Sequence, residues 1–111
     1  MIAVTDEVLQ QMVQAIVREV DPEEVWLFGS RARGEVRPDS DVDLLVVERE
    51  PFGPQRSRWQ ELVRLYDAIA PFRVGFDLLV YSRQEVAERR TWCNHVIARA
   101  MSEGRRLYER A

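Results

Sequence analysis

The chain contains no lysine, one histidine and one cysteine, so all 16 of its basic residues are arginines. The single cysteine, Cys93, excludes an intrachain disulfide and predicts a reducing compartment, with the cytoplasm as the default. No apolar run approaches the roughly 18 residues that a membrane span needs. The acidic segment 1–7 is not typical of a secretory signal. We therefore expect a cytoplasmic protein without a membrane partner.

Chain length and net charge restrict the number of domains and the kinds of ligand that we expect. The 111 residues predict a single domain, 1–111, and the net charge of -3 makes nucleic acid unlikely as a direct ligand. The local distribution of charge is more informative. Segment 30–38 has three arginines and one glutamate, a net of +2 (3 minus 1), and Asp39, Asp41 and Asp43 follow it. A basic cluster beside a carboxylate cluster suits an anionic ligand that arrives with cations.

The pattern of apolar residues predicts an α+β (α/β-like) fold, in which helices pack against a small mixed β-sheet. Thr5 is placed to cap the first helix, and Ser82 and Gly104 are placed to bound later ones. Leu107 and Tyr108 indicate a last short edge strand. The predicted elements, in order, are a helix at 6–20, a strand at 25–28, a helical turn at 31–33, a strand at 42–47, a helix at 59–69 ended by Pro71, a strand at 74–81, and a helix whose apolar face includes Trp92, Val96 and Ala100.

Two aspartates stand at the head of the second strand. Asp41 and Asp43 are two residues apart, so both carboxylates should leave the same face of the strand. Bare carboxylates this close repel each other, and divalent cations such as magnesium would relieve the repulsion. Considered alone, the pair would more simply be capping or turn aspartates of a solvated loop.

Asp77 makes a metal site more credible. It interrupts the apolar run 74–80, and we expect it to be buried, where an unpaired carboxylate is costly. It would then need an arginine partner, a hydrogen-bond network or a metal. If its strand lies beside that of Asp43, Asp77 is a third ligand. Three carboxylates around two cations ~4 Å apart clamp the attacking and leaving oxygens of a phosphoryl-type displacement.

Gly29 and Ser30 end the first strand, ten residues before Asp41. Gly29 allows close backbone approach, and Ser30 offers a hydroxyl and a backbone N–H. If a helical turn starts here, its free N–H groups favour a phosphate. Alone, the Gly-Ser pair would indicate only a turn. Arg31 and Arg33 either neutralise triphosphate charge or are solvated loop residues.

Taken together, these residues resemble a known signature. Gly29-Ser30, ten residues, Asp41-x-Asp43 and a later aspartate in an apolar strand are similar to the DNA polymerase beta-type nucleotidyltransferase superfamily. Segments 27–34 and 39–45 more closely resemble the minimal nucleotidyltransferase antitoxins that pair with HEPN-domain toxins. The resemblance covers essentially the whole chain and implies the nucleotidyltransferase fold.

The resemblance also implies roles. Asp41 and Asp43 would bind two Mg²⁺ ions, and Asp77 would bind one of them and help deprotonate the acceptor. Gly29 and Ser30, helped by Arg31 and Arg33, would hold the nucleoside triphosphate. ATP would be the substrate, and AMP would pass to a tyrosine hydroxyl of a partner HEPN toxin, silencing it. Two alternatives remain open: an antitoxin that only occludes its toxin, and an enzyme that modifies a small molecule or nucleic acid with the help of a separate subunit.

Other conspicuous residues carry weaker expectations. His95, the only histidine, lies far from the motif in sequence, and we expect no catalytic role for it. Cys93 is predicted to be a partly buried small apolar residue. The three tryptophans, Trp26, Trp59 and Trp92, are expected in the core, although Trp92 could instead anchor a partner.

Overall fold

The computed structural model describes residues 4–34, 41–92 and 95–111. Over these residues the chain forms a four-stranded sheet with helices on both faces. The elements, in chain order, are α1 (Asp6–Val20), β1 (Glu24–Phe28), α2 (Gly29–Ala32), β2 (Val42–Glu48), α3 (Arg58–Ile69), a 3-10 turn (Ala70–Phe72), β3 (Phe76–Ser82), α4 (Arg83–Arg89), α5 (Val96–Glu103) and β4 (Arg105–Glu109).

The strand order is β3-β2-β1-β4, and the sheet is mixed. β1 pairs antiparallel with both β2 and β4, whereas β2 and β3 pair in parallel. Parallel neighbours need a crossover connection, which α3 supplies. The predicted α+β class with a small mixed sheet is confirmed, as is the edge strand around Leu107 and Tyr108.

Local capping explains where α1 begins and ends. The Thr5 side chain accepts a hydrogen bond from the backbone N–H of Val8 at 3.2 Å. At the other end, Asp21 adopts a left-handed conformation with φ 46° and donates its backbone N–H to the Val17 carbonyl. The predicted helix 6–20 and its Thr5 cap are confirmed, because the apolar spacing and the capping chemistry agree.

The sheet separates two apolar layers. On the first face, α1 and α3 cover the inward side chains of the strands; on the second face, α4 and α5 do so. Alternation along the strands decides which residues point to which face. The first face has Val42 and Leu44 from β2 and Leu78 and Val80 from β3. Asp43 and Asp77 alternate with these residues along β2 and β3 and therefore belong to the second face.

The outer edge of β3 is covered by one side chain from α3. The Nη1 of Arg58 donates to the carbonyl oxygen of Val80 at 3.0 Å, and its other nitrogen pairs with Glu85. Glu85 also closes a capping box with Ser82 at the start of α4. The predicted capping role of Ser82 is thus confirmed.

A buried carboxylate marks the far end of β2. Glu48 is 1% exposed and pairs with Arg56, which also contacts Glu61. Burial, and then the neighbouring Glu61, raise the pKa of Glu48 to about 7 despite the opposing effect of Arg56. This cluster lies at the opposite end of β2 from Asp43.

Several boundaries and burial predictions were wrong. β3 begins at Phe76, two residues after the predicted Val74. α5 begins at Val96 with His95 as its cap, so Trp92 precedes the helix and is 50% exposed. Trp59 is 70% exposed on α3, although its spacing predicted a core position. Cys93 lies outside the described residues. Among those described, no helix is long and apolar enough to span a membrane.

Candidate active site

Gly29 lies at the junction of β1 and α2, and two features of the structure require a glycine at this position. Its φ is +74°, a conformation that side chains disfavour. In addition, a Cβ added to it would fall 2.2 Å from the Oδ2 atom of Asp43. Only glycine allows the Asp43 carboxylate to lie against the backbone here, which agrees with the close approach predicted from the sequence.

Asp43 and Asp77 are direct neighbours across the parallel strands β2 and β3. Burial raises the pKa of Asp43, and the charges of Asp77 and Asp41 raise it further, while Arg33 lowers it. The three predicted carboxylates therefore interact electrostatically. The predicted position of Asp77, on a strand beside Asp43, is confirmed.

The predicted burial of Asp77 is wrong. Asp77 is exposed, as the second residue of β3 rather than a residue in its middle. β3 is an edge strand, and its first residues are not covered on the second face. Solvent therefore stabilises the Asp77 carboxylate, and the expectation of a buried charge needing an arginine or a metal does not apply.

Asp41 comes just before β2 and faces a residue that the sequence analysis missed. A Cβ added to Gly75 would lie 2.3 Å from the Oδ1 atom of Asp41. Gly75 also accepts the backbone hydrogen bond of Val42 at 2.9 Å, so it joins β2 to β3 beside both aspartates. Its only sequence signal was a glycine two residues before Asp77.

The remaining predicted residues belong to α2 and its end. Ser30 follows Gly29 within α2, and the helical turn predicted at 31–33 is present as Gly29–Ala32. Arg31 lies in the same turn. Arg33 follows it, and its guanidinium is 3.4 Å from the carboxylate of Glu103 on α5. Both side chains of this pair are exposed, so it contributes little to stability.

Carboxylate oxygens are the donors that magnesium prefers, so Asp41, Asp43 and Asp77 fit a magnesium site chemically. The raised pKa of Asp43 agrees, because nearby cations would relieve the repulsion. The described residues contain no group of three or more acidic, histidine or cysteine side chains already arranged around one ion.

The family described as "Nucleotidyltransferase domain" matches residues 9–108. The chain belongs to the nucleotidyltransferase domain family. The match includes every predicted site residue, and the predicted resemblance is confirmed.

Individual relatives agree with this family. The probable protein adenylyltransferase MntA of Haemophilus influenzae is 39% identical over 41 residues, which span 36% of this nucleotidyltransferase domain and 36% of that protein. A candidate nucleotidyltransferase from Sulfolobus solfataricus superposes with a TM-score of 0.59 at 22% identity, covering 94% of this chain and 79% of that one.

Toxin–antitoxin complexes are also among the similar structures. A toxin–antitoxin structure with AMP-PNP has a TM-score of 0.54 at 19% identity and covers 91% of this chain and 73% of that one. The complex of a tri-AMPylated Shewanella oneidensis HEPN toxin with its MNT antitoxin has a TM-score of 0.54 at 17% identity, covering 96% and 74%. At these identities the similarity establishes the fold that the nucleotidyltransferase domain shares with them.

Proposed function

We propose that the domain is a magnesium-dependent adenylyltransferase that moves AMP from ATP onto a hydroxyl, most simply a tyrosine hydroxyl, of a partner HEPN toxin. The register of β2 and β3 carries this proposal, because it sets Asp43 and Asp77 side by side next to the Gly29 turn. Membership of the nucleotidyltransferase domain family supports it.

In the proposed reaction the acceptor oxygen attacks the α-phosphorus of ATP. The bond from that phosphorus to the oxygen bridging to the β-phosphate breaks, and pyrophosphate leaves. Asp77 accepts the proton of the hydroxyl; being exposed on the edge strand, it can be reached by a group carried on another macromolecule. Gly29 and Ser30 hold the outer phosphates, and Arg31 and Arg33 offset their charge.

Asp41 and Asp43 would hold both Mg²⁺ ions, and Asp77 one of them. When bound, magnesium supplies the positive charge that stabilises the attacking and leaving oxygens. Gly29 and Gly75 serve the same end by leaving room for the Asp43 and Asp41 side chains. We expect magnesium to bind weakly without nucleotide, because phosphate oxygens complete its shell.

The partner is inferred from relatives and not from a surface of this chain. The similar proteins and structures include a probable protein adenylyltransferase, a toxin–antitoxin structure with AMP-PNP and the complex of a tri-AMPylated HEPN toxin with an MNT antitoxin. The motif Gly29-Ser30…Asp41-x-Asp43 gives this domain the residues for the same chemistry. These points together favour a toxin hydroxyl over a small-molecule acceptor.

Mass spectrometry of the toxin tests the proposal. The domain, ATP, magnesium and a cognate HEPN toxin are incubated together, and we expect the toxin to gain one or more AMP units. Asp41→Asn combined with Asp43→Asn should abolish the gain, because neutral amides are poorer ligands for hard cations. Asp6→Asn, an exposed residue in the first turn of α1, is the matched control and should retain it.

A second measurement separates catalysis from occlusion. Binding of the double variant to the toxin should persist, since Asp41 and Asp43 lie beside Gly75 and Gly29 in the site. Inhibition of the toxin should nevertheless disappear. If the double variant inhibits the toxin fully at equal concentration, the domain acts by binding alone. If the wild type adds no AMP to any tested toxin, the adenylyltransferase proposal is wrong.

A further inference from the structure

A groove beside the site extends from Gly29 and Arg33 to residues of α5 that have no role in the mechanism above. It lies between α2 and α5 and has a volume of about 170 Å³. Gly29 and Arg33 line one wall, and Arg99 and Glu103 line the other. Sites for whole small-molecule ligands measure roughly 300–1,000 Å³, so this groove accommodates part of a ligand.

Gly29 borders both the groove and the Asp43 carboxylate. This residue lines the groove, and its missing Cβ leaves the space that the Asp43 carboxylate occupies. A nucleotide whose α-phosphate lies at Asp43 can therefore extend past Gly29 and place its next phosphates between α2 and α5.

Two arginines and one glutamate line the groove, for a net charge of +1 (2 minus 1). The guanidinium of Arg33 forms an ion pair with the carboxylate of Glu103 at 3.4 Å. The guanidinium of Arg99, on the opposite wall, makes no ion pair or side-chain hydrogen bond with the residues described here. An arginine side chain suits phosphate because its planar fork donates two parallel hydrogen bonds. In a chain without lysine, arginine is the only side chain that can bring a permanent positive charge to a phosphate.

Helix α5, the wall of the groove that carries Arg99, is capped at its start and packs against β1 at its end. At the start of α5, the His95 Nδ1 accepts the backbone N–H of Ile97 at 3.0 Å. At its end, a Cβ added to Gly104 would lie 2.8 Å from the carbonyl oxygen of Leu27 on β1. The last turn of α5 therefore packs closely against the strand that leads into Gly29.

We propose that Arg99 binds the outer phosphates of the nucleoside triphosphate and makes the site selective for triphosphates over monophosphates. Arg33, held by Glu103, supports the same phosphates from the other wall. The inference rests on the proposed function and adds to it a residue from α5, outside the segment that carries the Gly-Ser and Asp-x-Asp motif.

Isothermal titration calorimetry of the isolated chain with magnesium tests this without any transfer step. AMP-PNP and AMP are titrated into the wild type, Arg99→Ala, Arg99→Lys and Arg18→Ala. Arg18 lies in the last turn of α1, on the other side of the sheet, and is the matched control. Arg99→Ala should weaken AMP-PNP binding by about tenfold or more, a typical effect of losing one charged hydrogen-bonding partner.

Three further comparisons complete the test. AMP affinity should change by less than about twofold in Arg99→Ala, and Arg99→Lys should recover part of the AMP-PNP affinity because it keeps the charge. If Arg99→Ala binds AMP-PNP as the wild type does, or loses AMP-PNP and AMP equally, the inference is wrong while the proposed function stands. If the wild type binds neither nucleotide, the proposed function fails, and this inference with it.

Discussion

Two glycines in the site act as spacers for carboxylates. Gly29 and Gly75 each stand where a Cβ would collide with the tip of an aspartate, Asp43 and Asp41 respectively. The colliding atoms are carboxylate oxygens at the ends of side chains that can rotate. At Gly75, a methyl group would therefore move the carboxylate before it disturbed the fold, whereas at Gly29 the φ of +74° adds backbone strain.

Gly75→Ala should uncouple activity from stability. We expect AMP transfer to fall by at least about tenfold, since small displacements of reacting groups cost that much or more. The free energy of unfolding should change by less than about 1 kcal/mol, because Gly75 has no positive φ and the Asp41 side chain can turn away. Initial transfer rates and urea unfolding give the two values.

Gly53→Ala is the control for Gly75→Ala, because nothing lies within 4 Å of an added Cβ at Gly53. It should leave both the transfer rate and the urea midpoint unchanged. A Gly75→Ala variant with wild-type transfer would show that the position of the Asp41 carboxylate does not matter for the reaction.

The proximity of the candidate site residues could be predicted from sequence only in part, and their roles stay predictions. Spacing singled out Asp41, Asp43 and Asp77, and Asp77 does pair with Asp43. Its burial was predicted wrongly, because an apolar run does not reveal whether its strand lies at the centre or the edge of the sheet. Gly75 was missed because its importance depends on a contact with Asp41, 34 residues earlier in the chain.

Among the elements, α5 depends most on close backbone contact. Gly104 ends this helix in an extended conformation, with φ -85° and ψ 173°. A Cβ there would lie 2.2 Å from the Ala100 carbonyl oxygen and 2.8 Å from that of Leu27. Both atoms belong to the backbone, so neither can rotate away as a side chain would.

Gly104→Ala should therefore destabilise the protein where Gly75→Ala does not. We expect a loss of about 1–3 kcal/mol in the free energy of unfolding, the range typical of overpacking. Urea unfolding measures it, with Gly53→Ala again as the control. A loss no larger than that of the control would mean that α5 can move off β1 at little cost.

Elements with several agreeing signals were predicted best. The bounds of α1 were correct because the apolar period, the Thr5 cap and the Asp21-Pro22 break coincide. The start of α5 was wrong because Trp92 fits the helical spacing, while His95 caps the helix three residues later. Trp59 was wrongly predicted to lie in the core, because the side of α3 that the helical spacing indicated as buried is in part exposed.

At the scale of the whole molecule, one buried carboxylate couples stability to pH. The pKa of Glu48 is about 7 in the folded protein, against an ordinary value of 4.5. Between these values the unfolded chain gives up its proton while the folded chain keeps it. Glu48 therefore lowers the free energy of unfolding as pH rises from about 4.5 to about 7, and lowers it no further above that.

Glu48→Gln should remove this dependence. We expect the variant to gain stability over the wild type as pH rises through that window, by up to about 3 kcal/mol from the size of the shift. Urea unfolding at pH 5, 6, 7 and 8 gives the difference, and Glu88→Gln on the exposed side of α4 is the control. A difference that stays constant with pH would show that Glu48 is ionised throughout.

Some expectations about the whole molecule stay predictions. A single domain over 1–111, a cytoplasmic location and the absence of a membrane partner followed from length, composition and the lone cysteine. Composition bears on the environment of a chain, but it does not identify the surface that meets a partner. The mixed sheet was predictable as a class, whereas its strand order depends on contacts between distant segments.

The Arg58 side chain that covers the outer edge of β3 affects self-association of the protein at high concentration. An uncovered edge strand can template pairing with a strand of another molecule. The hydrogen bond from Arg58 to the Val80 carbonyl occupies an acceptor that such pairing would use. Arg58 covers the later part of β3 against pairing with another molecule and leaves the beginning of the strand open, where Asp77 lies. In the proposed reaction, that open end is where the acceptor approaches, so one arginine limits self-association without blocking the acceptor.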